Sequence, residues 1–245
     1  MGEVGQMRLV VLADIHGNAW ALEAVLRHAQ RYSPDQVVIL GDLLADGPDP
    51  LGTLQQLEAL SGAPMVRGNT DRYLADLDNV APPRSEMPDL VETWRWGLAQ
   101  VGERGRQYLA RLPTHAWLET PAGRVLAAHG IPEDDEAVVL PSAPRSADPL
   151  RRDGARVALV GHTHAPFVWQ TDDLLVVNPG SVGLSQATGW RASYAVLDLS
   201  TEGGVMVRHK QVEWDVAEFV RAFDGGIPVN RKAAPMLEEL RAWQT

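Results

Sequence analysis

Five short apolar runs, each ending abruptly in polar residues or glycine, punctuate the chain. Leu9-Val10-Val11-Leu12-Ala13 leads into Asp14-Ile15-His16-Gly17-Asn18, and Gln36-Val37-Val38-Ile39-Leu40 into Gly41-Asp42. Ala63-Pro64-Met65-Val66 leads into Arg67-Gly68-Asn69-Thr70-Asp71, Arg124-Val125-Leu126-Ala127-Ala128 into His129-Gly130, and Arg156-Val157-Ala158-Leu159-Val160 into Gly161-His162-Thr163-His164. Runs this short and partly β-branched predict buried strands. Because ligands of open α/β sheets gather beyond strand ends, all five ends are expected to meet at one edge.

Between the runs the period changes. Ala21, Leu22, Val25, Leu26 and Ala29 recur at helical spacing from Asn18, a predicted N-cap, to about Tyr32, where Ser33-Pro34-Asp35 stops the helix. A second helix is predicted over about 51–60. Pro88 opens a third, to about Leu112, with Leu90, Val91, Trp94, Leu98 and Val101 on one side. The stretch at about 78–112 interrupts the ligand-bearing strands without adding a ligand, so it is expected to be a helical cap over the metal edge. Trp94 and Trp96 read as packing residues rather than a base-stacking platform. Strands are predicted near 115–119, 124–128, 156–160, 166–170, 174–177, 192–199 and 204–212. Two helices follow, near 214–223 and 233–243, the first capped by Asp215. Neither an internal repeat nor a domain-length linker interrupts 1–245, and one domain is expected.

Composition narrows the chemistry. A 245-residue chain with 45% hydrophobic content is globular and large enough for a substantial core. It has no stretch of roughly 18 apolar residues, and Met1 to Gln6 has no basic segment of the kind that opens a signal peptide. A cytoplasmic location with no membrane association is therefore expected. Cysteine is absent, which excludes disulfides, thiolate metal sites and thiol nucleophiles; any metal must use His, Asp, Asn or Glu. A net charge of −10 argues against broad nucleic-acid binding, which needs a basic face.

Asp14 and His16 at a strand end pair a hard oxygen with an imidazole nitrogen, a set suited to Zn, Mn or Fe. Alone, such a triplet is equally a polar turn after a strand. In the order Asp-x-His, Gly-Asp, Gly-Asn-x-Asp, His-Gly, Gly-His-x-His, the chain resembles the calcineurin-like metallophosphoesterases, and most of all their small prokaryotic phosphodiesterase branch. The match runs from Arg8 to about Leu199 and takes in Gly47-Pro48-Asp49-Pro50 and Asn178-Pro179-Gly180-Ser181. The resemblance implies an α/β fold, a four-layer α-β-β-α sandwich of two facing mixed sheets, and two divalent transition-metal ions per chain (Mn, Zn or Fe). It implies that Asp14, His16 and His164 hold one ion, that Asn69, His129 and His162 hold the other, and that Asp42 bridges them. The implied reaction is in-line attack of a metal-bridging hydroxide on the phosphorus of a small phosphate ester, nucleotides included, with diesters favoured.

Two positions depart from the family's protein-phosphatase branch. Thr70 stands where that branch has a histidine assigned as general acid, and Asp46 where it has a phosphate-clamping arginine. Asp71 matches the family's acidic residue, and either orients a water or ligand in catalysis or caps the following helix. Arg67 and Arg72 either clamp a substrate phosphate or form surface ion pairs. His28, His115 and His209, away from the strand ends, read as structural. The rival readings are a phosphomonoesterase or protein phosphatase, and a non-catalytic scaffold of the same fold.

Overall fold

The computed structural model describes residues 5–79, 88–202, 204–230 and 233–243. In chain order the elements are β1 (Gln6–Leu12), α1 (Ala19–Ala29), β2 (Gln36–Ile39), α2 (Pro50–Ala59), α3 (Asn69–Ala75), α4 (Pro88–Ala110), β3 (His115–Thr120), β4 (Gly123–Ala128), β5 (Ala155–Leu159), β6 (Phe167–Gln170), β7 (Leu175–Asn178), β8 (Ala192–Ser200), β9 (Val205–Val212), α5 (Val216–Asp224) and α6 (Ala233–Trp243). Asn18 and Asp215 are N-caps as expected: their side chains accept from the Ala21 and Glu218 N–H groups.

Two mixed sheets face each other. One has the order β2-β1-β8-β9, with β1 and β2 parallel and the other pairings antiparallel; the second has the order β3-β4-β5-β7-β6, with β4, β5 and β7 parallel. Alternation of side chains along a strand divides each apolar run between two cores. Leu9, Val11 and Ala13 join Val125, Ala127, Val157, Leu159, Ala195 and Leu197 between the sheets. Val10 and Leu12 face the opposite way, into a larger core built from all six helices. Both faces are covered, so the runs read as continuous apolar stretches rather than as alternation.

The two outer layers are unequal. All six α-helices contribute to the core on the first sheet, whereas the outer face of the second (Leu126, Ala158, Val160, Val176) is covered by the 131–150 stretch, including a 3-10 helix at Pro144–Leu150. The expected strand at 63–66 is reduced to one parallel bridge, Ile39 to Met65; Pro64 has no N–H to extend a ladder. In the stretch expected to be a cap, 80–87 lie outside the described residues. Its helix, α4, packs Leu90, Trp94, Leu98, Val101 and Leu109 into the helical core of the first sheet and is kinked at Gly102.

Backbones approach closely where β2 ends. Gly41 has φ 87°, and a Cβ there would lie 2.4 Å from the Gly68 nitrogen. Replacing Gly41 with alanine therefore combines an unfavourable left-handed backbone with a backbone overlap, and should cost at least about 2 kcal/mol. Urea unfolding of ion-free protein measures it; a loss under about 0.5 kcal/mol, the range of an ordinary surface change, would show that the two loops are free to separate.

Candidate metal centre

The parallel strands point their carboxyl ends the same way, and the candidate ligands leave from those ends. Asp14 and His16 follow β1, Asp42 follows β2, His129 follows β4, His162 and His164 follow β5, and Asn69 is the first residue of α3. Turning out of a strand this sharply requires unusual backbone. Asp14 (φ 55°), His16 (50°), Asp42 (54°), His162 (66°) and His164 (58°) are all left-handed, at roughly 1–2 kcal/mol each for a residue with a Cβ. The Asn178-Pro179-Gly180-Ser181 turn after β7 secures these exits. Ser181 Oγ and the Gly183 N–H both donate to the Asp14 carbonyl, at 2.8 and 2.9 Å, and Asn178 Nδ2 donates to the Gly161 carbonyl at 2.7 Å.

The seven side chains converge in two groups. His16 Nε2 and His164 Nε2 lie 3.1 Å apart, with Asp14 Oδ1 3.6 Å from His164 Nε2. Asn69 Oδ1 lies 3.1 Å from both His129 Nε2 and His162 Nδ1. Asp42 Oδ2 sits between the groups, 3.7 Å from His16 Nε2 and 3.5 Å from His129 Nε2. Its other oxygen accepts the Thr70 N–H at 2.9 Å, which fixes the carboxylate's direction. Asp14, Asp42, His16 and His129 are all at most 3% exposed.

This arrangement fits cations. Asp14 Oδ2 is buried without a hydrogen-bond partner, and nitrogens 3.1 Å apart match the edge between two ligands on one ion at about 2.0–2.2 Å from each. The outer nitrogens are engaged as they are in metal sites: His129 Nδ1 on the Leu40 carbonyl at 2.6 Å, and His164 Nδ1 on the Leu184 carbonyl at 3.1 Å. Clustered carboxylates give the site a negative potential that attracts positive charge. Burial alone would lower the His16 imidazole, but Asp46, Asp42 and Asp14 hold it at about 9. Burial alone would raise Asp42, but His129 and His16 hold it at about 2. Burial pulls His162 and His164 down, favouring the neutral form in which imidazole is a ligand.

The expected residues outside the ligand set are distributed differently. Asp71 is fully buried and accepts three backbone N–H groups: Asp42 and Gly68 on Oδ2, Leu43 on Oδ1, at 2.8–2.9 Å. It meets the first turn of α3 from the third helical position, and it does not line the pocket described below. Burial and then the Asp42 carboxylate push it up to about 7, against those backbone donors. Arg72 forms a bidentate pair with Asp135 at 2.8 and 2.9 Å and reaches Glu136, while Arg67 Nε lies 3.8 Å from Asp135. Both arginines thus face the 131–136 loop rather than the pocket, the ion-pair reading. His28 bonds the buried Tyr194 hydroxyl and His209 the Asn178 carbonyl, each at 2.7 Å, and the half-buried His115 meets Thr114.

His16, Asp42, Asn69, His162 and His164 form the floor of a pocket of about 480 Å³. Its walls include Leu184, Gln186, Ala187, Trp190, Asn230, Ala233 and Met236. Sequence reasoning missed these residues because an apolar helical face such as that of α6 carries no sign of what it will meet. None of the described residues of α4 lines the pocket, whose walls come from the 184–190 stretch and from the segment past β9.

Residues 7–202 match the calcineurin-like phosphoesterase superfamily domain. The chain belongs to the calcineurin-like phosphoesterase superfamily. Within that superfamily it is 27% identical over 201 residues to phosphodiesterase YfcE of Escherichia coli K12, covering 78% of this chain and 88% of the relative. The metallophosphoesterase of Sphaerobacter thermophilus superimposes with a TM-score of 0.75 at 24% identity, over 96% of this chain and 99% of the other. Protein PH1004 of Pyrococcus horikoshii OT3 does so with 0.78 at 24% identity, over 94% and 97%. Among the described residues no helix is long and apolar enough to cross a membrane.

Replacing Asp71 with asparagine in this family member would turn an NH₂ donor toward one of the three backbone N–H groups. Losing charge-assisted bonds and leaving a buried donor unpaired should cost about 3 kcal/mol, read from urea unfolding of the ion-free protein. Wild-type stability in that variant would refute the bracing role.

Proposed function

We propose that this chain is a two-metal phosphodiesterase acting on small phosphate esters. The observation that carries this reading is Asp42 Oδ2, buried between two imidazole-rich groups at the floor of an open pocket. Asp14, His16 and His164 would hold one ion and Asn69, His129 and His162 the other, with Asp42 shared. Two divalent ions there act as Lewis acids toward the phosphoryl oxygens and the attacking water. The protein's own part is to hold direction. The Thr70 N–H aims Asp42, the turn after β7 holds Asp14, and Asn69 supplies an oxygen without adding negative charge.

The preference for diesters follows from the walls. Asp46 places a carboxylate in the pocket. A diester monoanion suits this better than a monoester dianion, which relies more on a cationic clamp and on a general acid worth typically about 10²–10⁴-fold. Thr70, where the protein-phosphatase branch has its histidine, cannot act as such an acid. Leu184, Ala187, Trp190, Ala233 and Met236 offer an apolar surface for an ester substituent, and Gln186 and Asn230 offer hydrogen bonds. The name of the YfcE relative is in line with this reading.

Protein purified without chelator should contain close to two transition-metal ions per chain by elemental analysis. Asp42→Asn keeps the side chain's size but removes the shared charge, so activity should fall by at least about 10²-fold with the fold retained by circular dichroism. Fewer than one ion per chain after incubation with Mn or Zn, or normal turnover by Asp42→Asn, would remove the two-metal reading.

Bis(p-nitrophenyl) phosphate should be hydrolysed with a higher kcat/KM than p-nitrophenyl phosphate. A tenfold preference for the monoester, with alkyl phosphates as good as aryl ones, would mean that a proton donor serves the leaving group, and would overturn the diesterase reading.

A further inference from the structure

The outer nitrogen of His16 faces a carboxylate, whereas those of His129 and His164 meet backbone carbonyls at hydrogen-bond distance. Asp46 Oδ2 lies 3.4 Å from His16 Nδ1, and no described group makes a closer hydrogen bond to that nitrogen. Asp46 Oδ1 in turn accepts the Trp94 indole N–H at 2.8 Å. Trp94, 4% exposed on α4, stacks on Tyr73 of α3 with ring centroids 5.4 Å apart and planes 14° apart. The helix that binds Asp46 from behind is therefore also packed on the helix that begins with Asn69.

We propose that Asp46 is the positioning residue for His16, and that Trp94 holds Asp46 in that role. The inference rests on the metal-holding reading of the site. His16 Nε2 faces His164 Nε2 at 3.1 Å, so both lone pairs must be free if one ion is to sit between them. Nε2 has a free lone pair only if the proton of neutral imidazole resides on Nδ1, where it needs an acceptor. An outer carboxylate fixes that tautomer and the ring orientation, and losing such a partner typically lowers metal affinity about 10–100-fold. The distance of 3.4 Å is long for a hydrogen bond and within ion-pair range. The aspartate at this position, where the protein-phosphatase branch has a clamping arginine, thus orients a ligand, and α4 acts on the centre through it while none of its described residues lines the pocket.

Asp46→Asn separates this role from a merely structural one. Asparagine tolerates the left-handed backbone of position 46 (φ 76°), and its carbonyl can still accept from Trp94. Its NH₂ then faces His16 Nδ1 and favours the tautomer with the proton on Nε2, which cannot bind a metal. Mn and Zn affinities of ion-free protein, measured by competition with a chelating dye, should show one of two ions weakened about 10–100-fold and the other within threefold of wild type. The urea midpoint of ion-free protein should barely move. Trp94→Phe, which keeps the stacking but not the N–H, should weaken the same ion by a smaller factor. If wild type binds two ions and Asp46→Asn binds both equally well, the positioning role alone falls. Equal weakening of both ions together with a lowered urea midpoint would also overturn it, in favour of a structural role. Wild type that binds no ion would overturn this inference and the two-metal reading together.

Discussion

Left-handed backbone at five of the seven candidate ligands is the constraint to which the rest of the centre answers. The reversal of φ at Asp14 and at Asp42 turns both chains out of their strands, and the carboxylates meet with His129 in one group whose ligand atoms lie within 4.8 Å of one another. Conformations this unfavourable persist only where the surroundings over-determine them. Here the surroundings are hydrogen bonds aimed at the loop backbones: Ser181 and Gly183 on the Asp14 carbonyl, Asn178 on Gly161, and Asp71 on Asp42, Leu43 and Gly68. The polar residues that surround the centre serve its shape before they serve its chemistry.

This division of labour explains what was legible in the sequence. The strand ends could be read directly, because a short apolar run ending in a ligand-type residue is a local signal. The set of seven converging side chains and the two-sheet architecture came with the resemblance that the order of those motifs carries. The strand at 63–66 was over-read, since Pro64 limits its pairing to a single bridge. Asp71 could be read either as a catalytic residue or as a cap, because the choice depends on which N–H groups surround it. Arg67 and Arg72 looked available for a phosphate because Asp135, more than sixty residues downstream, meets them only in the folded chain.

Asp46 and the pocket walls show a different limit. In the sequence Asp46 is notable only as a missing arginine, since its partners His16 and Trp94 are 30 and 48 residues away in opposite directions. Likewise, the apolar face of α6 is an ordinary amphipathic pattern that gives no sign of being a pocket wall. A periodic pattern tells which side of a helix is buried but not against what.

The origin of the pocket has a consequence for how such a protein diversifies. The floor lies wholly within the stretch shared with the superfamily, whereas Asn230, Ala233 and Met236 lie beyond it. A substitution on that wall alters the room left for an ester's organic half while leaving every candidate ligand, and the loops that hold them, untouched. Part of what shapes the room for a substrate is thus written outside the stretch that carries the candidate ligands, and that part can drift or be redesigned without reopening the centre.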